Sequence, residues 1–232
     1  MPLNEPGTGC SLHGLLHAQS LSVLSCTAWQ AALGYQAQAG EYLGFPHAFS
    51  LRLLYTMLPD GIEQTLTVTN DSNQTMPFAI GWHTTFRLPF APGSRAEDVT
   101  VSLHAAAAYP RDARTFLPTW QEETSSPLLS ALRAGSLAPA AQQVSCLLGQ
   151  SPDHSILLFD RAKNLGVAYT APDYRYWLLF NAGSKDFLSA EPLSWIVDAP
   201  HSPWDAEKSG LIAIPPNARR SFTSRITMFK KI

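Results

Sequence analysis

Residues 81–86 read Gly81-Trp82-His83-Thr84-Thr85-Phe86 and follow an apolar run that begins at Met76. Phe78 and Ile80 have the two-residue spacing of a strand face. Gly81 gives the backbone room to bend or to come close to a ligand. A strand ending this way presents Trp82 and His83. An indole offers a flat apolar surface, and an imidazole gives or takes a proton near neutral pH. Together they suit a polar ligand with one apolar face, such as a sugar. The plain alternative is a half-buried histidine satisfied by a backbone carbonyl.

A second set of polar groups lies at Ser189-Ala190-Glu191-Pro192-Leu193-Ser194-Trp195, followed by Asp198 and Pro200-His201. A carboxylate between alanine and proline, soon after the apolar run 176–180, is expected to be partly desolvated. Desolvation raises a glutamate pKa and makes it a better base near pH 7. An ordinary loop glutamate is the competing reading. Leu12-His13-Gly14, in a turn-rich opening, is the third segment of interest. His47 and His201 both follow prolines and are expected at the surface, and Asp153-His154 reads equally well as a solvated turn. The chain has no Cys-x-x-Cys pair, no Gly-rich phosphate loop and no Gly-x-Ser-x-Gly elbow. Histidines with carboxylates suit proton transfer that needs neither metal nor cofactor.

These residues need a scaffold. Leu51, Leu53, Tyr55 and Met57 alternate, Pro59-Asp60-Gly61 turns the chain, and Ile62, Leu66 and Val68 alternate with polar residues. This is a β-hairpin pattern. After a turn at 70–73, residues 76–86 read as the third strand of a meander. Val99, Val101 and Leu103 suggest another strand. Residues 111–150 are the least regular, with one short helix: Ser126 caps it, Pro127 suits its first turn, Leu128, Leu129 and Leu132 form its stripe, and Gly135 ends it. Strand signals return at 156–159, 167–169 and 176–180, the last apolar on both faces and so expected to be central. Residues 211–214 and 222–228 close a chain without tandem repeats or a clear linker. Many short strands with almost no helix predict an all-β, antiparallel two-sheet sandwich, read as a single domain over 1–232.

A hydrophobic content of 45% supports a packed core, and a formal net charge of −2 without a basic block argues against a nucleic-acid partner. Cys10, Cys26 and Cys146 are too few and too scattered for a disulfide framework, which points to a reducing cytoplasm. No apolar run approaches the ~18–20 residues of a membrane span, and the first residues lack the pattern of a signal peptide.

Three segments, taken in order, resemble the aldose 1-epimerase (galactose mutarotase-like) family. They are Asn4-Glu5-Pro6-Gly7 with Leu12-His13-Gly14; Val68-Thr69-Asn70-Asp71-Ser72 leading through Met76-Pro77-Phe78 to Gly81-Trp82-His83-Thr84-Thr85-Phe86; and Phe180-Asn181 through Ala190-Glu191-Pro192 to Ile214-Pro215-Pro216-Asn217-Ala218. The resemblance implies a large β-sandwich with a sugar cleft on one sheet and a mutarotase activity on an aldohexose. By position, Glu191 matches the base that takes the C1 hydroxyl proton, and His83 matches the acid that protonates the ring oxygen. His13 matches a second histidine that binds near the ring oxygen, and Asp153 resembles an aspartate that binds sugar hydroxyls. Trp82 is expected to contact the sugar beside His83, with His83 and Glu191 on opposite sides of a sugar-sized gap.

Two features depart from the family. An Asn-Arg segment and several strands usually precede the His-Gly motif, and His13 here stands a dozen residues from Met1. The usual His-Pro-Tyr-Phe is His83-Thr84-Thr85-Phe86. The expectation is an N-terminally shortened sandwich whose open edge is covered by residues 1–15 or by a second chain, as in a homodimer. A non-catalytic carbohydrate-binding module is the alternative to an enzyme. A structural sandwich without a sugar site is a third reading.

Overall fold

The computed structural model describes residues 4, 5, 7–14 and 16–230. Residues 1–3, 6 and 15 of the turn-rich opening lie outside the described residues, as do 231 and 232. The strands are β1 (Ser22–Cys26), β2 (Gln30–Ala37), β3 (Phe49–Leu58), β4 (Gly61–Asn70), β5 (Met76–Phe78), β6 (Thr85–Arg87), β7 (Val99–Ser102) and β8 (Ala108–Tyr109). After helix α1 (Pro127–Arg133) come β9 (Ser145–Gly149), β10 (Ser155–Asp160), β11 (Leu165–Thr170), β12 (Tyr176–Phe180), β13 (Phe187–Leu193), β14 (Ile212–Ile214) and β15 (Arg219–Lys230). The fold is all-β with antiparallel sheets. Among the described residues no helix is long and apolar enough to cross a membrane. The chain divides into two compact units, one holding the described residues up to 78 with 112–117 and 212–223, the other 79–111, 118–211 and 224–230.

In the first unit, β1 to β4 form an antiparallel run continued by the 219–223 part of β15. The β3–β4 hairpin pairs along its whole length, from Phe49↔Asn70 to Leu58↔Gly61, around Pro59-Asp60. Proline presets the backbone angle such a turn needs. Leu51 faces Val68 and Leu53 faces Leu66, and all four are buried, so the period-two pattern becomes one core face. Among the described residues β1 pairs on one side only, with β2, and its five residues are exposed. Asn70 is fully buried and ties two chain segments together. Its Nδ2 donates to the carbonyls of Gln74 (2.7 Å) and Ile214 (2.8 Å), and its Oδ1 accepts from the Ser72 amide (3.0 Å). Residues 76–86 are not one strand of a meander. β5 pairs with β14, Phe78 opposite Ile212, and the chain then leaves the ladder. Pro77 has no amide to offer a sheet interior, so a two-stranded ribbon suits it. His47 is buried rather than at the surface, with Nδ1 3.2 Å from Ser72 Oγ and Phe45 edge-on to its ring.

The second unit carries a five-stranded sheet in the order β6-β13-β12-β9-β8, with apolar β12 in the middle as its sequence predicts. A second sheet runs β7-β10-β11 and takes in the 224–230 part of β15. The two sheets meet through aromatic rings, Tyr169 of β11 edge-on to Trp177 of β12 at 5.3 Å and Phe86 at 6.1 Å from Tyr169. Helix α1 follows its sequence signals. Ser126 accepts from the Leu129 amide at 3.3 Å, Pro127 opens the helix, and Gly135 adopts φ +64° just beyond it. Glu191 lies inside β13, not in a loop, and the irregular stretch 111–150 contains β9.

Candidate active site

Directly paired residues in an antiparallel ladder point to the same face, and neighbours along the strand to the other. Tyr109↔Leu147, Leu147↔Leu178 and Leu178↔Glu191 therefore form one row across the five-stranded sheet. Beside it on the same face runs the row Ser145, Phe180, Ser189 and Thr85. The intervening positions, Leu148, Trp177, Leu179, Leu188 and Ala190, point the opposite way and are fully buried. The sheet thus has a dry face and a face that carries chemistry.

Residues leading into β6 obey the same alternation. Trp82, Thr84 and Phe86 turn to the dry face. The Trp82 indole donates to Tyr174 Oη, Thr84 Oγ1 lies 3.0 Å from Tyr169 Oη, and Phe86 packs on the Tyr169 ring. His83 and Thr85 turn the other way, Thr85 Oγ1 lying 2.8 Å from Ser189 Oγ. Gly81 eases this alignment: a Cβ there would meet Leu193 Cδ2 at 2.5 Å and the Pro192 carbonyl at 3.3 Å, so a larger residue would push the Leu193 side chain aside.

His83 Nε2 stands 3.4 Å from Glu191 Oε1. The two are neighbours, closer than the sugar-wide gap the sequence suggests. Their environments differ: the His83 side chain is 48% exposed and that of Glu191 is 6% exposed. Glu191 Oε1 is buried and accepts no hydrogen bond among the described residues. Burial disfavours the charged form and pushes the Glu191 carboxyl from the usual 4.5 up to about 7, while the Arg111 guanidinium pulls it back down. A carboxylate poised near neutrality beside a half-exposed imidazole can exchange protons with two different atoms of one ligand.

The other predicted residues are each placed within their own unit. Asp153 is exposed at the turn into β10, where its Oδ1 accepts from the Ser151 hydroxyl at 2.6 Å. His201 is at the surface, its Nδ1 2.6 Å from Asp198 Oδ1. His13 belongs to the first unit, with φ +60° and its ring edge-on to His17 at 6.1 Å. His13 and His17 are four residues apart, a spacing used for metals, yet among the described residues no group of three or more His, Cys, Asp or Glu side chains is placed to hold a metal ion. Asn181, within the third motif, is a structural residue. Buried, it accepts from the Val144 and Gly183 amides (2.8 and 2.9 Å) and donates to the Pro139 and Gln142 carbonyls (2.9 Å each). No sequence signal points to Arg111, which lies in the stretch without periodicity and reaches the site face only through sheet pairing.

The sheets form a β-sandwich, with His83 and Glu191 side by side on one of its faces. The sequence profile of the family described as aldose 1-epimerase matches residues 1–227, and the chain belongs to that family. Its fold is the galactose mutarotase-like β-sandwich. A galactose mutarotase-like protein from Clostridium acetobutylicum matches with a TM-score of 0.91 at 23% identity, over 100% of this chain and 72% of that one. A galactose 1-epimerase from Lactobacillus acidophilus NCFM matches with a TM-score of 0.71 at 17% identity, over 100% of this chain and 73% of that one. The LacX proteins of Lactococcus lactis subsp. lactis, chromosomal and plasmid, are 23% identical over 188 residues, which is 78% of this chain and 62% of theirs. The chain spans less than two thirds of the length of these curated relatives.

Proposed function

We propose that the protein is a mutarotase that interconverts the α and β anomers of an aldohexose such as glucose or galactose. Glu191 takes the proton from the C1 hydroxyl while His83 protonates the ring oxygen. The C1–ring-oxygen bond breaks with its electron pair going to the ring oxygen, the C1–C2 bond of the open aldehyde rotates, and the reverse transfers close the other anomer. The observation that carries this reading is the 3.4 Å approach of His83 Nε2 to Glu191 Oε1 on one face of the sheet, where the imidazole is half-exposed. The two sugar oxygens are bonded to the same carbon, so an acid and a base serving them must stand within a few ångströms of each other. The carboxyl near 7 supports the base role, since a base is most effective when its pKa is close to the working pH.

For His13 and Asp153 the support as sugar-binding residues is the motif resemblance. Trp82, turned to the dry face, is assigned to holding His83 in place from behind. Three unpaired cysteines fit a reducing cytoplasm. The test is the optical rotation of freshly dissolved α-glucose or α-galactose. The protein should bring the rotation to equilibrium faster than buffer alone, and Glu191→Gln should slow it by at least about 10²-fold, the low end for a positioned proton acceptor. Sugar binding without acceleration would replace this reading with the non-catalytic carbohydrate-binding module.

A further inference from the structure

Arg111 follows β8 and Pro110, and its backbone bridges to Pro118. Continuing the alternation from Tyr109 puts its side chain on the face that carries Glu191. There its Nη2 donates to Ser145 Oγ on β9. Ser145 pairs with Phe180, Phe180 with Ser189, and Glu191 is the next residue along β13 on that face. The arginine therefore reaches over the site face from the edge opposite His83. A guanidinium stays charged under all ordinary conditions and is held here partly out of water. Burial works against that charge, and Cys146 and then the Glu191 carboxylate work in its favour. The influence is mutual, because the same cation opposes the rise of the Glu191 carboxyl. Leu178 and Phe180, both partly buried, line the face between them, and an apolar lining strengthens a charge–charge interaction.

The geometry points to Arg111 as a positioning residue for Glu191: a fixed cation, anchored on Ser145, that shares the site face with the carboxylate and favours its ionised form. This rests on Glu191 being the base proposed above. The other titratable or charged groups that bear on this face are few among the described residues, and Cys146, beside Ser145 on β9, is the one that also interacts with Arg111. His83 lies on the β6 side. Tyr109 and Tyr176 lie beyond Leu147 and Leu178, both pushed up by burial. Glu122 and Lys208 are paired with each other at 2.6 Å. Arg111 is the cation among them that bears on Glu191.

The experiment compares the parent with Arg111→Met and Arg111→Lys, following the Glu191 side-chain carboxyl by ¹³C NMR and kcat/KM for anomer exchange across pH. In Arg111→Met the carboxyl midpoint and the acid limb of the rate profile should both move up by about one unit, the low end for losing a neighbouring opposite charge. Below the midpoint the rate should fall about tenfold, and at high pH it should converge on the parent, which a merely structural loss would not do. Arg111→Lys should keep most of the parent profile. In the unmodified protein the Arg111 Nε–Hε resonance should titrate with the Glu191 midpoint and lose that titration in Glu191→Gln, a readout that does not depend on any arginine variant folding. An unmoved midpoint in Arg111→Met, or a flat arginine resonance, overturns the proposal. A midpoint that moves in a protein whose parent never exceeds the buffer rate leaves the Arg111–Glu191 coupling standing and overturns the mutarotase reading instead.

Discussion

Ala190 and Glu191 are chain neighbours, yet they belong to opposite surfaces of the same sheet. Ala190, with Trp177, Leu179 and Leu188, lies on the face that packs against Tyr169 and its strand. Glu191, with Thr85, Ser189 and Arg111, lies on the other. A strand's side chains have a period of two, so a slip of one residue would exchange the two sets completely. The dry face cannot tolerate an unpaired charge, and that intolerance sets the register that delivers Glu191 to His83. The face that carries Glu191 is thus specified by the fully buried one behind it. Trp82 and His83 repeat the arrangement on the neighbouring segment, one ring turned inward to Tyr174 and the next outward to Glu191.

The sharpest way to break this contrast is Trp177→Ala. It removes a fully buried ring from the dry face and should cost about 3–5 kcal/mol of stability, read by urea unfolding. Glu191→Gln on the opposite face should do the reverse, losing turnover by about 10²-fold while the fold persists. The parent's stability should change with pH in a defined sense. The folded carboxyl titrates near 7 instead of 4.5, so its contribution is fully present below 4.5 and lost as pH rises through 7. The glutamine variant should lack that slope, and urea midpoints at pH 5 and pH 8 check it. A smaller effect separates the faces at neighbouring positions. Trp82→Phe keeps an apolar ring but deletes the hydrogen bond to Tyr174, and should cost about 1 kcal/mol of stability with sugar affinity little changed. A large loss of affinity with unchanged stability would instead make Trp82 a sugar platform, the role its sequence context first suggests. The smallest effect is expected for the exposed His201→Ala, with stability within about 0.5 kcal/mol of the parent and turnover unchanged.

By itself the sequence determined what depends on near neighbours. The β3–β4 hairpin is written in its alternation and its Pro59-Asp60 turn, helix α1 in Ser126, Pro127 and Gly135, and the central place of β12 in a run apolar on both sides. His83 and Glu191 have residue types that suit proton transfer, and it is the ordered resemblance of the three motif segments that singles them out. The tertiary structure alone decided the rest. β2, Gln-Ala-Ala-Leu-Gly-Tyr-Gln-Ala, is poor in strand formers and is a strand because β1 and β3 pair with it. The split of 76–86 follows from partners more than a hundred residues away, β14 for β5 and β13 for β6. Asn70 and Asn181, which look like site residues in a motif, are occupied with distant carbonyls and amides. Arg111 acquires meaning only when β8, β9, β12 and β13 lie side by side. Periodicity, caps and turns act over a few residues and leave their pattern in the chain. Strand partners, burial and the resulting shift of a carboxyl pKa arise from contacts between distant segments, which no local pattern encodes.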